Sequence, residues 1–414
     1  MKRTPTMKLL SAAAALALTM TACSTDSGAP ADPEDVSGTV VFWTYPLGEA
    51  DSASWWKPYV EEFNREYPNV EVEVVLQPFG NREDALTTAI AGNNAPDVVY
   101  FNPDFIPRYA EEDLLMPLDD LRDDWDDFVP SSLESMTWDE TLYGAPLLMQ
   151  IQQPYCNTEA LAAAKVKCPT TWDEWREAAP KFKEAGYYAG EYNAVSTLNH
   201  GFYVYLWQAG GEVLSDDLQS AAFNSPAGVE ALTFIKEMVD KDWVPKEPLT
   251  VLEPLEQSAV GRAEVGYVPG SQLISTRAVV DPDLIEVAPP MKHREQVASG
   301  SVGAWSIFET TEVPEAAKAW VRFLSEPAFI EEFNDFTGYL PPRESLNDMF
   351  ADDPQIADGM EYLDTVRAGV MHPKAREIID TIRPHIQSVL LEGVAPKDAL
   401  AAAEKQVDDL LARG

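Results

Sequence analysis

Residues 70–101, VEVEVVLQPFGNREDALTTAIAGNNAPDVVYF, decide the fold because they indicate a strand, a helix and a second strand in succession. Val70, Val72 and Val74 alternate with glutamates, and this period of two predicts a half-exposed strand. Residues 84–91 favour a helix, which the Gly-Asn-Asn-Ala-Pro run directly after it ends. Residues 97–101 predict a buried strand. Strands that alternate with helices imply a mostly parallel, layered α/β sheet.

The same alternation continues on both sides of this segment. Residues 39–43, TVVFW, predict the first strand, and residues 55–66 have helical spacing with large apolar side chains on one face. The tail at 375–411 has a helical pattern that we expect to be interrupted at Pro384 and around 393–396. A chain of 414 residues is too long for one compact core, so we expect two domains.

Acidic residues outnumber basic ones, 69 against 30, which gives a formal net charge of −39. Such a surface repels phosphate backbones, so no nucleic-acid partner is expected. It also repels anionic lipid headgroups, so contact with a membrane is expected only through a covalent lipid. Hydrophobic residues make up 45% of the chain, an ordinary share for a soluble globular protein.

The N-terminus has the pattern of a secretion signal. Lys2, Arg3 and Lys8 precede an apolar run at 9–18 that is too short to span a bilayer. The residues that follow, ending at Cys23, resemble the bacterial lipobox. This resemblance implies a signal peptide at 1–22, transfer of diacylglycerol to the Cys23 thiol, and a solvated tether at 23–37. The alternative is an ordinary secretory peptide whose last residue happens to be cysteine.

Two further cysteines, Cys156 and Cys168, lie twelve positions apart. An even pair in an exported chain favours a disulfide, which would join the two ends of a short Ala-rich helix. The alternative is a pair of buried free thiols.

A series of short motifs runs through the chain from residue 39 onward. They are V-F-W at 41–43, F-N-R-E-Y-P at 63–68, A-G-N-N-A-P-D-V at 91–98, L-L-M-P-L at 114–118, Y-G-A-P at 143–146, Y-C-N at 155–157, P-T-T-W-D-E at 169–174 and G-Y-L-P-P-R at 338–343. In order and spacing they resemble the carbohydrate-binding cluster of extracellular solute-binding proteins, which serve ABC importers. The third motif has one residue more before its proline than the family signature A-G-x-x-P-D-V.

This resemblance implies an α/β fold of two lobes, a periplasmic-binding-protein-like clamshell whose hinge the chain crosses three times. Both lobes would be discontinuous. Lobe 1 would contain 38–146 with 301–338, and lobe 2 would contain 147–300 with 339–414.

The resemblance also implies a function. An extracytoplasmic, membrane-anchored binding protein of this kind captures a mono- or oligosaccharide between its lobes and delivers it to the permease subunits of an ABC importer. It would act as a monomer, would need no cofactor or metal, and would not be an enzyme.

The resemblance places the ligand-binding residues beyond strand ends and near the hinge, which is where ligands bind open α/β sheets. They are Thr44, Tyr45, Asn102, Asp104, Gln150, Gln152, Tyr155, Gly270, Ser271 and Trp305. Amides and carboxylates would bind sugar hydroxyls, and aromatic rings would cover the C–H face. Asn102 and Asp104 could instead form a turn around Pro103. Trp305 could be a packing residue, although the neighbouring Gly303 suggests close approach of another group.

Two other functions remain open at this point. An exported glycoside-active enzyme would need a pair of carboxylates, but among 69 acidic residues such a pair is no evidence. A polyamine or ferric-ion binder on the same fold is the second alternative; the acidity would suit a polyamine, and the adjacent Tyr187 and Tyr188 would suit iron.

The lipobox-like run generates a first prediction. Cys23→Ser removes the thiol that would accept the lipid, so the variant should move from the membrane fraction into the medium. Immunoblots of both fractions from intact cells measure this. A variant that stays in the membrane fraction would show that the anchor lies elsewhere.

Overall fold

The computed structural model describes residues 32–48, 50, 52–79, 82–195 and 197–413. The predicted signal peptide, Cys23 and the tether as far as residue 31 lie outside the described residues.

Strands and helices alternate through the first third of the chain and helices prevail afterwards. The strands are β1 (Gly38–Thr44), β2 (Val70–Leu76), β3 (Val98–Phe101), β4 (Thr137–Trp138), β5 (Thr141–Leu142), β6 (Ala145–Ile151), β7 (Tyr155–Asn157), β8 (Tyr267–Val268), β9 (Ile285–Val287), β10 (Ala298–Ile307) and β11 (Val366–Arg367). The helices are α1 (Ala53–Glu66), α2 (Arg82–Ala91), α3 (Ile106–Glu111), α4 (Pro130–Glu134), α5 (Thr158–Ala164), α6 (Trp172–Glu184), α7 (Phe202–Gln208), α8 (Pro226–Asp240), α9 (Leu273–Arg277), α10 (Pro314–Leu324), α11 (Pro327–Thr337), α12 (Pro354–Met360), α13 (Ala375–Leu391) and α14 (Pro396–Leu411). None of the helices in the described ranges is both long and apolar enough to span a bilayer.

The larger sheet is mixed rather than mostly parallel. Its strand order is β11-β10-β3-β1-β2, and β6 pairs with β10. The predicted strands at 39–43, 70–76 and 97–101 are confirmed as β1, β2 and β3, and β1 is parallel to both of the others. The difference arises at β10, which is antiparallel to β3 and to β6 and comes from a distant part of the chain. A smaller antiparallel sheet has the order β8-β7-β9.

Buried hydrophobic side chains form three separate clusters. One draws its residues from 36–148 and 302–333, and we call the elements around it lobe 1. The other two draw theirs from 151–298 and 340–407, and we call the elements around them lobe 2. The chain therefore passes between the lobes three times, close to the predicted boundaries at 146, 300 and 338. Those boundaries themselves stay a prediction.

Three backbone segments connected by hydrogen bonds form the hinge between the lobes. β6 runs antiparallel to β10, with Ile151 opposite Gly300 and Ala145 opposite Trp305. The third segment joins them at Leu340. The Met149 amide donates to the Leu340 carbonyl at 2.7 Å, and the Leu340 amide donates back to the Met149 carbonyl at 3.0 Å.

The C-terminal helices differ from the prediction at one proline. α13 runs from Ala375 to Leu391 and contains Pro384, so the interruption expected there is wrong. Ile382 and Ile386 on either side of Pro384 are at most 1% exposed. Their burial in the core of lobe 2 outweighs the loss of the backbone hydrogen bond that the proline cannot donate. The second predicted interruption is confirmed, because Gly393 has a φ of 76° and α14 begins only at Pro396.

The predicted disulfide between Cys156 and Cys168 is present, with a Cα–Cα distance of 5.8 Å. Cys156 is fully buried on β7, and Cys168 lies beyond α5. The bridge therefore ties the two ends of the segment that contains α5 to the core of lobe 2.

Loss of this bridge should lower the stability of the protein. Cys156→Ser releases a closed loop of twelve positions, whose closure contributes about 3 kcal/mol in the chain-entropy model. Urea unfolding should show a lower free energy of unfolding for the variant. Reductant should lower the free energy of unfolding of the wild type but leave that of the variant unchanged. Two alkylatable thiols in the unreduced native protein would contradict the assignment.

Candidate functional site

A cavity of about 190 Å³ lies between the two lobes, and we call it the interlobe pocket. Lobe 1, lobe 2 and the hinge all contribute to its lining, which consists of Leu47, Phe79, Tyr100, Asn102, Asp104, Gln150, Thr197, Asn199, His200, Gly300, Ser301, Tyr339, Ala368 and Arg376.

A second cavity of about 210 Å³ opens beside the first, and we call it the tyrosine pocket. Its lining belongs to lobe 2 and the hinge and consists of Gln152, Glu191, Tyr192, Asn193, Thr197, His200, Val204, Tyr205, Gln208, Tyr267, Pro269, Gly270, Met291 and Ser299. Thr197 and His200 line both cavities, so the two form one cleft.

Several cleft residues lie at the end of a strand, just beyond it, or in the first turn of a helix. Asn102 and Asp104 come after the carboxyl end of β3, where open α/β sheets bind ligands. Gln150 lies near the end of β6, and Gln152 follows that strand at the hinge. Arg376 lies in the first turn of α13 and reaches the cleft from lobe 2.

The Asn102 side chain is fixed by four contacts. Its Oδ1 accepts from Arg82 Nη1 at 3.1 Å. Its Nδ2 lies 3.2 Å from Ser301 Oγ and from the Val302 carbonyl, and 3.4 Å from the Tyr100 hydroxyl. Asn102 thus connects the end of β3 to β10 and holds the floor of the interlobe pocket in place.

An ion pair joins the lobes across the interlobe pocket. Arg376 Nε of lobe 2 lies 2.9 Å from Asp104 Oδ2 of lobe 1 and 3.6 Å from Glu83 Oε1. The Arg376 guanidinium also lies over the Phe105 ring, 4.7 Å from its centroid. Since Asp104 is only 8% exposed, its charge is compensated mainly by this arginine.

A second arginine is buried behind this pair. Arg82 is 6% exposed, and its guanidinium lies 3.9 Å from the centroid of Phe105 and 5.3 Å from that of Tyr45. Burial, and then the nearby Arg376 charge, lower the pKa of Arg82, while Asp104 opposes that shift. Two guanidinium groups, one from each lobe, therefore contact the same phenyl ring.

Glu191 is the one acidic side chain that lines the tyrosine pocket. Burial raises the pKa of its carboxyl to about 7, and the neighbouring Glu253 carboxylate adds to the rise. Glu191 makes no ion pair or hydrogen bond within the described ranges of the chain. A large part of its population is therefore protonated near neutral pH.

His200 connects the two pockets and is uncharged at neutral pH. Its side chain is exposed to the cleft, and the protein on either side of the cleft desolvates it in part. This desolvation lowers the pKa of the imidazole to about 4, with Asp104 opposing the shift and Arg376 adding to it. At neutral pH His200 can thus both donate and accept one hydrogen bond.

Five of the ten predicted ligand-binding residues line the cleft: Asn102, Asp104, Gln150, Gln152 and Gly270. The other five do not, because the structure buries them: Thr44, Tyr45, Tyr155, Ser271 and Trp305.

The expectation that Trp305 covers a ligand face is wrong. Its side chain has no exposed surface and packs edge-on against Phe42 and Trp56 in the core of lobe 1. The group that approaches Gly303 is the Tyr100 ring, which lies where a Cβ at Gly303 would stand. The Trp305 ring projects from β10 onto a face of the sheet that α1 covers, where Trp56 packs against it.

The remaining four are buried for similar reasons. Tyr155 lies on the central strand of the small sheet, between Val268 and Val287. Ser271 donates from Oγ to the Gln153 carbonyl at 3.0 Å. Thr44 and Tyr45 have no exposed surface at the end of β1, and the Tyr45 ring stacks on Phe79.

Apart from Gly270, sequence reasoning missed the lobe 2 side of the cleft. Its members include Glu191, Asn199, His200, Tyr205 and Arg376. The only local signal was the short polar run before α7, in which the Thr197 hydroxyl accepts from the Asn199 amide at 3.3 Å and begins a helical turn. The described residues contain no group of three His, Cys, Asp or Glu side chains that could hold a metal ion.

Comparisons with known proteins agree on one family. The sequence profile described as bacterial extracellular solute-binding protein matches residues 48–329, more than half of the chain. An uncharacterized lipoprotein from Streptomyces antibioticus, named for its position in the oleD 5′ region, is 29% identical over 58% of this chain and 54% of its own length. The maltotriose-binding protein of Pyrococcus abyssi is 25% identical over 49% of this chain and 43% of its own. The chain thus spans about half the length of the curated relatives it matches.

A solved structure confirms the two-lobed α/β fold. An ABC transporter solute-binding protein from Thermotoga lettingae, bound with alpha-D-tagatose, superposes with a TM-score of 0.78. The alignment covers 91% of this chain and 100% of that one, at 23% identity. The match shows the fold of this chain and nothing beyond it.

The raised pKa of Glu191 generates a prediction about stability. The folded pKa of about 7 exceeds the ordinary 4.5, so the folded protein binds more protons than the unfolded one between these values. Stability therefore falls as the pH rises through this window, and the ionised carboxylate is destabilising above it. Glu191→Gln should raise the free energy of unfolding by about 2 kcal/mol at pH 8 and little at pH 4.5.

Urea unfolding at both pH values measures this difference. Glu256→Gln is the matched control, because Glu256 is exposed in the same lobe and its loss changes the net charge equally. An equal effect of Glu191→Gln at the two pH values would show that its carboxyl titrates normally.

Proposed function

Since this chain belongs to the family of bacterial extracellular solute-binding proteins, we propose that it binds a carbohydrate in the cleft and delivers it to the permease of an ABC importer. The chemistry of the cleft supports this proposal. Sugars need several polar groups for their hydroxyls and a few rings for their C–H faces. The cleft offers amides, a carboxylate, an imidazole and tyrosines from both lobes.

The observation that carries the proposal is a set of unengaged polar groups at the hinge. The side-chain amides of Gln150 and Gln152 make no hydrogen bond within the described part of the chain. Asn199 is 7% exposed, and its Oδ1 is buried without a hydrogen-bond partner. Buried polar atoms rarely stay unpaired in native proteins, so Asn199 Oδ1 favours a polar ligand, and the half-buried Gln150 and Gln152 amides are available to the same ligand.

Ligand capture would favour approach of the lobes. A sugar that contacts Asp104 of lobe 1 and Asn199 of lobe 2 binds the closed arrangement better than an open one, and it therefore shifts the population towards closure. The hinge can rotate for this motion because only its three strand-like crossings connect the lobes covalently.

The remaining parts of the proposal concern location and assembly. We place the protein outside the cytoplasm, after removal of 1–22, with lipid on Cys23 and a tether at 23–37. The lipoprotein relative from Streptomyces antibioticus supports this placement. Lobe 1 would consist of 38–146 and 301–338, and lobe 2 of 147–300 and 339–414. The protein would act as a monomer and would release its ligand unchanged.

Sugar binding at the hinge amides is testable with one variant. Gln152→Ala should weaken binding of the cognate sugar by about three- to tenfold, because one hydrogen bond contributes about 0.5–1.5 kcal/mol. A thermal-shift screen of mono- and oligosaccharides identifies the sugar, and calorimetry then measures the affinities. Gln219→Ala, at an exposed position of lobe 2, is the matched control.

Small-angle scattering supplies an independent readout. The radius of gyration should fall when the cognate sugar is added and stay constant with sugars that do not bind. Failure of every carbohydrate to stabilise the protein would contradict the proposed function. Turnover of the sugar during the titration would show that the protein is an enzyme and not only a binding protein.

A further inference from the structure

Glu191 is an acidic group without a cationic partner in the tyrosine pocket. It lines the pocket together with the hinge residue Gln152, and no lysine or arginine lines it. His200, the other titratable nitrogen base of the lining, is uncharged at neutral pH because its pKa lies near 4. Outside the pocket the nearest interacting charge is Glu253, which is also negative.

The interlobe pocket and the tyrosine pocket differ in whether their acidic side chain has a cationic partner. In the interlobe pocket, Asp104 is paired with Arg376 at 2.9 Å. Glu191 has no such partner in any described range. Because an ionised carboxylate without a partner is costly, Glu191 takes up a proton in the free protein, and a cationic ligand in the pocket would allow it to ionise.

Three tyrosines share the pocket with this carboxyl. Tyr192, Tyr205 and Tyr267 line the same cavity and are at most 4% exposed. The Tyr192 hydroxyl is buried and has no hydrogen-bond partner within the described residues. Aromatic rings beside an anion favour an organic cation, because the negative faces of the rings attract positive charge and an ammonium group donates hydrogen bonds to the carboxylate.

We propose that the tyrosine pocket selects a sugar unit that carries an amino group, with Glu191 as the residue that recognises its ammonium. This inference rests on the proposed function and specifies its substrate class. A neutral sugar in the same position would leave Glu191 without a cationic partner. An amino sugar would pair with it and leave its remaining hydroxyls to Gln152 and Asn199.

The experiment compares matched sugars that differ in one substituent. Calorimetry at pH 6 measures the binding of glucose, galactose and mannose, their 2-amino counterparts, and the β-1,4-linked trimers of glucose and glucosamine. Wherever a pair binds, the amino member should bind about tenfold or more tightly, in line with a charge-assisted hydrogen bond. Glu191→Gln should reduce this ratio to about threefold or less, whereas Glu191→Asp should retain part of it and Glu256→Gln all of it.

Proton release supplies a readout that a purely structural role would not move. At pH 6 most Glu191 carboxyls of the free protein are protonated, since the pKa is about 7. The groups that interact with this carboxyl are Glu253, Tyr155 and Tyr205, and none of them is a cation. An ammonium ligand should therefore release close to one proton per site, measured from calorimetry in buffers of different ionisation enthalpy. Glu191→Gln should abolish the release.

The outcomes separate this inference from the proposed function. Neutral sugars that bind as tightly as their amino counterparts, with no proton release, would overturn the inference and leave the proposed function standing. Absence of binding by every sugar would overturn the proposed function and the inference with it. Tighter binding of spermidine than of any sugar would also overturn both.

Discussion

The cleft depends on the antiparallel pairing of β6 with β10. These strands carry the chain between the lobes, and the two hydrogen bonds between Met149 and Leu340 add the third crossing to the same small structure. The fixed register puts Gln150 opposite Ser301 and Ile151 opposite Gly300. The hinge side of the ligand space therefore keeps its composition while the lobes rotate about it. Movement of the lobes changes which residues face the hinge, not the hinge itself.

Charge is handled differently on the two sides of that hinge. Asp104 and Arg376 come from different lobes and neutralise each other when the lobes are in contact, and the Phe105 ring holds both Arg376 and the buried Arg82. Glu191 has rings, amides, an imidazole and a second carboxylate around it, and no lysine or arginine lines its pocket. The acidic side chain at one end of the cleft therefore has a cationic partner, and the acidic side chain at the other end has none.

Local patterns in the sequence predicted the elements well and the site only in part. Alternation over 70–76 identified β2, and position after a strand identified Asn102 and Asp104 as cleft residues, because both kinds of information are local. Alternation does not show whether other elements cover a face of a strand, so Trp305 and Tyr155 were placed in the cleft although both side chains are buried. Arg376 reaches Asp104 from more than 270 positions away, and no local pattern announces such a contact.

The order of the strands in the sheet also affects how the chain folds during its synthesis. β3 obtains its second partner only when β10 is available, and the paired residues Phe101 and Ala304 are about 200 positions apart. All four residues of β3 are buried in the finished sheet, so a nascent chain exposes an apolar edge until the segment that will form β10 has left the ribosome. Early folding of the first hundred residues would leave that edge open to pairing with other chains. The native partner of that edge is complete only when residue 307 has emerged, so folding of the sheet is coupled to synthesis of the first three quarters of the chain.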